Sequence, residues 1–216
     1  MAYTENLAII EMQEEQRSKR GVSTFSMGEL ECPTGQIIAA DPFMQPDERP
    51  FVRTVKPGRY PITLYGADGG IALATLRIAV GTVAYWEMAL CTGQNMTDLE
   101  PGEYYGYPVD TGYGCFMDIM GYRALKARET FEWEQDPEYD GDYVNGILFP
   151  DIEQPPADHV LHRPLPDQPG VAVFMSGFGD GFYASYWGMS ATNEPLVLAT
   201  DFNLLENATA YSMRKR

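Results

Sequence analysis

Val171-Ala-Val-Phe-Met-Ser-Gly-Phe-Gly-Asp-Gly-Phe-Tyr183 decides how this chain folds. It opens as a buried strand, Val171 to Met175, and then breaks into three alternate glycines, Gly177, Gly179 and Gly181, with Phe178 and Asp180 between them. A strand that runs into Gly-x-Gly-x-Gly needs positive φ, or very close backbone approach, at those positions. The chain resumes as Phe182-Tyr-Ala-Ser-Tyr-Trp-Gly188, and a last strand, Leu196 to Phe202, carries Asp201. The turn therefore belongs at one end of the central strands of a sheet.

Upstream, short strands alternate with glycine and proline turns. Met27 to Cys32 and Gln36 to Ala40 read as a hairpin across Pro33-Thr-Gly35, ended by Asp41-Pro42. Tyr60 to Tyr65 and Ile71 to Val80 read as a second hairpin across Ala67-Asp-Gly-Gly70. Trp86 to Leu90 fits strand or helix, Tyr104 to Asp110 is strand-like, and Thr111 to Gly114 is a loop. A 3.6-residue period through Phe116, Ile119, Met120, Arg123 and Ala127 predicts a helix over Phe116 to Phe131, weakened by Gly121. Another helix is expected from Thr4, as cap, to Arg20, packed along Leu7 and Ile10 and stopped by Gly21. The fold class is α+β, mainly β: a curved antiparallel sheet or sandwich with an N-terminal helix and one or two further helices. One domain spans 1–216, with the N-terminal helix at 1–21, a β-rich core at 22–131 and 171–205, and an acidic, proline-rich insert at 132–170.

Hydrophobic residues make up 44% of the 216, enough for a core and too many for global disorder. The formal net charge is -16. Such a chain is repelled by bare nucleic acid and anionic membrane and attracted to basic partners. The blander account is that excess acid keeps a protein soluble. Cys32, Cys91 and Cys115 are an odd count without Cys-x-x-Cys spacing, which argues for reduced thiols in a cytoplasm. No signal peptide is evident at the first residue, and no apolar run is long enough to cross a membrane.

Two constellations could carry function. Asp41, Asp110, Asp118, Asp180 and Asp201 each stand beside a glycine, a proline or a strand end, where a folded sheet can bring side chains together. Converging carboxylates bind a divalent cation or act as acid and base; dispersed ones fix their own turns. The second constellation is the run of acids from Glu129 to Asp158, uninterrupted by Lys or Arg and interleaved with aromatics. Trp133, Glu134, Asp136, Glu138, Tyr139, Asp140, Asp142 and Tyr143 are the partner-binding candidates. Asp136 to Asp142 imitates the start of a calcium loop, but Ile147 stands where the bidentate Glu belongs. His159 and His162 are the only histidines, three apart with no helix to support a metal spacing. Ser176 lacks the first glycine of a nucleophile elbow, and Gly177-x-Gly179-x-Gly181 is not a dinucleotide fingerprint. Cys115 at a helix start would have a lowered pKa; a buried structural thiol is the competing account.

Taken together, Gly35 to Pro42, Lys56 to Pro61, Trp86 to Ala89, Val109 to Gly112 with Cys115 to Asp118, Ser176 to Tyr183 and Thr200 to Phe202 carry a resemblance. The chain resembles a bacterial family known as domain of unknown function 4241, from about Gly28 to Leu204. The resemblance implies tryptophan at position 178 in many relatives, and Phe178 keeps the aromatic. It brings no established reaction and no cofactor. The expected function is therefore that of a binding protein, immunity- or antitoxin-like, that masks a basic toxin or effector. The alternatives are a metal-assisted hydrolase using the turn carboxylates, or a nucleotide-like ligand held by the glycine-turn amides.

Overall fold

Val171–Met175 and Gly181–Met189 lie in different sheets, and the glycine turn carries the chain from one to the other. The structure is a computed structural model that describes residues 5–44, 47–136, 138–151 and 158–205. In chain order the strands are β1 (Ser23–Cys32), β2 (Ile37–Ala40), β3 (Gly58–Ala67), β4 (Gly70–Arg77), β5 (Tyr85–Met88), β6 (Tyr107–Val109), β7 (Tyr113–Asp118), β8 (His159–His162), β9 (Val171–Met175), β10 (Gly181–Met189) and β11 (Pro195–Asp201). Seven form an antiparallel sheet in the order β1-β3-β4-β11-β10-β5, and β6 pairs with Gly181 to Tyr183 on the edge of β10 that β5 shares. The other four form a second antiparallel sheet, β2-β7-β9-β8.

The apolar run of β9 is continuous because both faces of its sheet are covered. Ala172 and Phe174 point into the core between the sheets, with Phe116, Leu30, Ile62, Leu76, Leu198 and Trp187. Val171 and Val173 point outward, beneath α2 (Ile119–Gln135) and a π-helical turn, Val144–Leu148. The outer face of the larger sheet is covered in turn by Leu7, Ile9 and Ile10 of the N-terminal segment. Four layers result, and each fully buried Phe or Trp between them contributes about 1.5–3 kcal/mol.

The β3–β4 hairpin forms across Asp68 and Gly69, both at positive φ, as the Ala-Asp-Gly-Gly turn requires. Other local expectations are corrected. β1 and β2 are not a hairpin: β1 pairs with β3, and β2 with β7 in the second sheet. The turn between them is drawn across by Asp118, whose Oδ2 accepts from Thr34 N (3.1 Å), Thr34 Oγ1 (2.8 Å) and Gly35 N (3.1 Å). Phe116 to Asp118 belong to β7, and the helix begins only at Ile119, where Asp118 Oδ1 accepts from Met120 N at 3.0 Å as the N-cap. Pairing with β2 and β9 overrides the helical period over those three residues.

The N-terminal helix is broken into a 3-10 helix, Glu5–Glu11, and a short α1, Glu14–Ser18, with Gln13 and Gln16 in a capping box. Docking Leu7, Ile9 and Ile10 on the sheet governs that segment more than one helical stripe does. Within the expected insert, His159–His162 is a strand paired with β9, so the smaller sheet reaches beyond the expected core limits. Thr4, expected as the helix cap, and Glu153, within the acidic run, fall outside the described residues.

Candidate functional site

The five aspartates do not converge; three are buried, each at a different seam of the fold. Asp41, 2% exposed, follows β2. Its Oδ2 accepts from the amides of Asp110 (3.0 Å) and Thr111 (2.9 Å), and its Oδ1 from Phe43 N (3.0 Å) and Thr111 Oγ1 (2.8 Å). Asp118 ties the β1–β2 turn to the start of α2, as described above. Asp201, at the end of β11, takes Asn6 Nδ2 at 3.0 Å and Asn203 N at 2.9 Å. Each carboxylate accepts from protein donors on both of its oxygens, which is how a buried charge is made tolerable. Asp110 and Asp180 are exposed. Among the described residues no three His, Cys, Asp or Glu side chains are grouped to hold a metal ion. Asp41 and Asp110 meet only through the Asp110 amide, so the described contacts show no paired acid and base.

The glycine turn is laced from within. Gly179 N donates to Ser176 O (2.7 Å), while Ser176 Oγ (3.0 Å) and Tyr183 Oη (2.8 Å) both donate to Gly179 O. Ser176 N reaches Gly112 O and Gly177 N reaches Ile71 O, each at 3.0 Å, so two neighbouring segments clamp the turn. Gly177 and Gly179 have φ of 53° and 110°; Gly181 is not at positive φ but lies against the Tyr183 ring. With the Gly177 and Gly179 amides already bonded, the turn is not an open anion nest. Ser176 is spent on the turn and is fully buried.

In the acidic stretch the candidates divide. Tyr143 is buried, stacked on Phe43 with centroids 5.6 Å apart, and its Oη meets His162 Nε2 at 2.9 Å. It belongs to the core beneath the π-helical turn, with its ring covered by the fold. Trp133 is half-exposed and packs edge-on against Tyr139 at 5.2 Å. Burial, with Glu129, Asp140, Asp142 and Glu132 around it, pushes the Tyr139 phenol up to about 12. Asp136, Asp140 and Asp142 each accept a nearby backbone N–H, at 2.9 to 3.0 Å, and so fix the loop that resembles a calcium site. Glu129 and Glu132 are paired with Lys126 and Arg128 along α2. Glu134, Asp136, Glu138 and Asp140 remain as exposed acids.

A family model described as Protein of unknown function (DUF4241) matches residues 30–200. The chain belongs to the DUF4241 family. No curated protein and no solved structure matches it. In this DUF4241 protein the matched span holds β2 to β10 whole, and with them Asp41, Asp118 and the glycine turn; the 3-10 helix and α1 lie outside it.

Cys115 is a buried strand residue whose thiol is pushed well up by burial, the reverse of an activated helix-start cysteine. Burial, and the Asp118 charge, raise Cys32 to about 12. Cys91, the remaining thiol, is partly exposed and is also raised by burial. A cavity of about 280 Å³ opens between the sheets beside Asp41, Arg49 and Cys91. Its charged groups include Asp47 and Arg49, 3.7 Å apart, so neither sign of ligand is favoured there.

Sequence reasoning missed a surface at the glycine turn. Phe178 is 83% exposed and Phe182 45% exposed, and Tyr104 packs on Phe182 with centroids 5.7 Å apart. The signals were present: an aromatic isolated between glycines, and the two-residue alternation of β10, which turns Phe182 away from buried Tyr183. Among the described residues no helix is long and apolar enough to cross a membrane.

Proposed function

We propose that this protein is a binding protein that masks a basic protein partner, in the manner of an immunity protein or antitoxin that covers a toxin or effector. One observation carries the proposal, the division of the acids by burial. The buried aspartates are each held by protein donors, while Glu134, Asp136, Glu138 and Asp140 stand exposed in a run that no Lys or Arg interrupts. Exposed unpaired acid on a chain of net charge -16 raises the encounter rate with a basic surface. Inhibition is steric, and it requires no reaction of this chain.

The test begins with capture on the immobilised full chain from native lysate at low salt, followed by purification of the retained protein and measurement of its association kinetics. A basic partner whose association rate falls steeply as salt shortens the Debye length to about 8 Å supports the proposal. Retention of nothing basic, together with turnover of a phosphoester or nucleotide by the purified chain, overturns it.

A further inference from the structure

We infer that the partner docks on the aromatic surface at the glycine turn, Phe178 with the groove beside Phe182, and that the occupant is a basic protein segment carrying Lys or Arg next to an apolar side chain. The inference rests on the binding function proposed above and gives that function a place, distinct from the acidic stretch after α2.

Phe178 contributes little to the fold, because 83% of it faces solvent. Its backbone, in contrast, is held rigidly. The turn beneath it is clamped by the Ser176 and Tyr183 hydroxyls, by Gly112 O and by Ile71 O. A large apolar side chain on a fixed pedestal is preorganised for contact and loses little conformational entropy when covered. Phe182, four residues on, forms one wall of a shallow groove of about 420 Å³ whose other apolar lining includes Leu99, Tyr104 and Tyr105. The Tyr104 hydroxyl donates to Phe182 O at 3.1 Å and ties the groove to the base of the turn.

Charge selects the occupant. Four exposed aspartates flank the turn, one from each segment that meets there. Asp180 lies within it. Asp110 precedes Thr111 and Gly112, and Gly112 O holds Ser176 N. Asp68 is at the tip of the β3–β4 hairpin, where Gly70 lies against Gly177 O. Asp158 accepts Met175 N through its carbonyl at 2.8 Å. None of the segments contributes a counter-charge: Lys and Arg are absent from 60–76, 78–122, 129–162 and 164–213. An exposed aromatic within such a frame favours a guanidinium or ammonium over its face, with the apolar neighbour entering the groove. A second copy of this chain would set acid against acid.

The test pans a displayed random-peptide library against the full chain and measures the recovered peptides on wild type, Phe178→Ala, Asp110→Asn/Asp180→Asn and Glu134→Lys. Phe178 is exposed enough that its removal leaves melting unchanged, which is checked in parallel. The expected result is enrichment of Lys or Arg beside an aromatic or aliphatic residue. Phe178→Ala should then weaken binding at least tenfold, the double Asn variant should slow association, and Glu134→Lys should keep the wild-type dissociation rate. Basic peptides that bind Phe178→Ala as tightly as wild type but lose Glu134→Lys overturn the docking site and leave the binding function standing. Failure to enrich basic sequences overturns both. Concentration-dependent dimerisation of wild type that Phe178→Ala abolishes, seen by sedimentation, assigns the surface to a second copy and refutes the basic occupant.

Discussion

Asp41→Asn removes a charge and almost no volume, and it separates a structural aspartate from a reactive one. In the wild type, Oδ2 accepts two backbone amides, Asp110 N and Thr111 N, while Oδ1 accepts Phe43 N and the Thr111 hydroxyl. An asparagine has one acceptor oxygen, so one edge of the site must face an NH₂ group toward backbone donors. With the oxygen toward Asp110 and Thr111, Phe43 N is orphaned; reversed, both of the other amides are. The Thr111 hydroxyl can rotate to accept, but the amides cannot. Hydrogen bonds to a charged acceptor contribute roughly 1.5–3 kcal/mol each, and at least two are lost or weakened to neutral strength, giving a cost of about 3–5 kcal/mol. Against a total stability on the order of 5–15 kcal/mol, that is a large fraction. In urea, with a slope of about 2 kcal/mol per molar, the midpoint should fall by roughly 1.5–2.5 M. Asp180→Asn, exposed in the turn, should stay within about 0.5 kcal/mol of wild type. If Asp41→Asn unfolds at the wild-type midpoint, the assignment of Asp41 as a fastener is wrong, and a reactive role returns to consideration.

Gly179→Val should cost about 1–3 kcal/mol for its φ of 110°, and Gly177→Val more, because an added Cβ would lie 2.7 Å from Phe202 O; calorimetric melting at wild-type temperature for both variants would contradict the turn geometry. The Cys32 thiol, raised from 9.0 to about 12, is protonated in the fold and ionises more easily when unfolded, so stability is intact below pH 9 and lost between about 9 and 12. Urea midpoints across that range should fall less steeply for Cys32→Ala, and parallel curves would refute the cause. Tyr143→Ala should lower stability by about 3–5 kcal/mol in the same urea assay, because it empties a buried site against Phe43 and His162; a neutral effect would return Tyr143 to the surface candidates.

The strands were legible where local chemistry and tertiary position agree. β9 reads as a buried strand, and it is buried on both faces because α2 lies on one side and the larger sheet on the other. The β3–β4 hairpin reads from its turn alone. Sequence reasoning failed where a distant side chain decides the local path. Nothing within Pro33 to Gly35 says that Asp118, more than eighty residues away, will fill its hydrogen bonds and send β2 into another sheet. The period through Phe116 and Ile119 is compatible with a helix until the pairing of β7 with β2 and β9 is known. The aspartates stand at turns and strand ends, as their sequence neighbours indicate, but their types could not show whether they face one another or separate amides. Tyr143 looked like a surface aromatic because its acidic neighbours are exposed, and distant residues, Phe43 and the strand that carries His162, help to bury it.

The exposed acid should oppose stability if it serves binding. Like charges around the glycine turn repel one another, and no Lys or Arg from the segments that form it relieves them. Asp180→Lys reverses one charge amid Asp68, Asp110 and Asp158 without touching a buried contact. It should therefore stabilise the fold slightly, by a few tenths of a kcal/mol at low salt, seen as a small rise in melting temperature that fades as the Debye length falls from about 30 Å to about 8 Å. Association with a basic partner should slow in the same variant, and over the same range of salt. Acid kept only for solubility gives a different result, because one reversal in a chain of net charge -16 would leave association almost unchanged. A variant that is more stable yet slower to bind identifies acid retained for function at a cost in stability. If Asp180→Lys melts lower than wild type at low salt, the local charge is not frustrated, and the electrostatic basis for placing the partner at this turn fails.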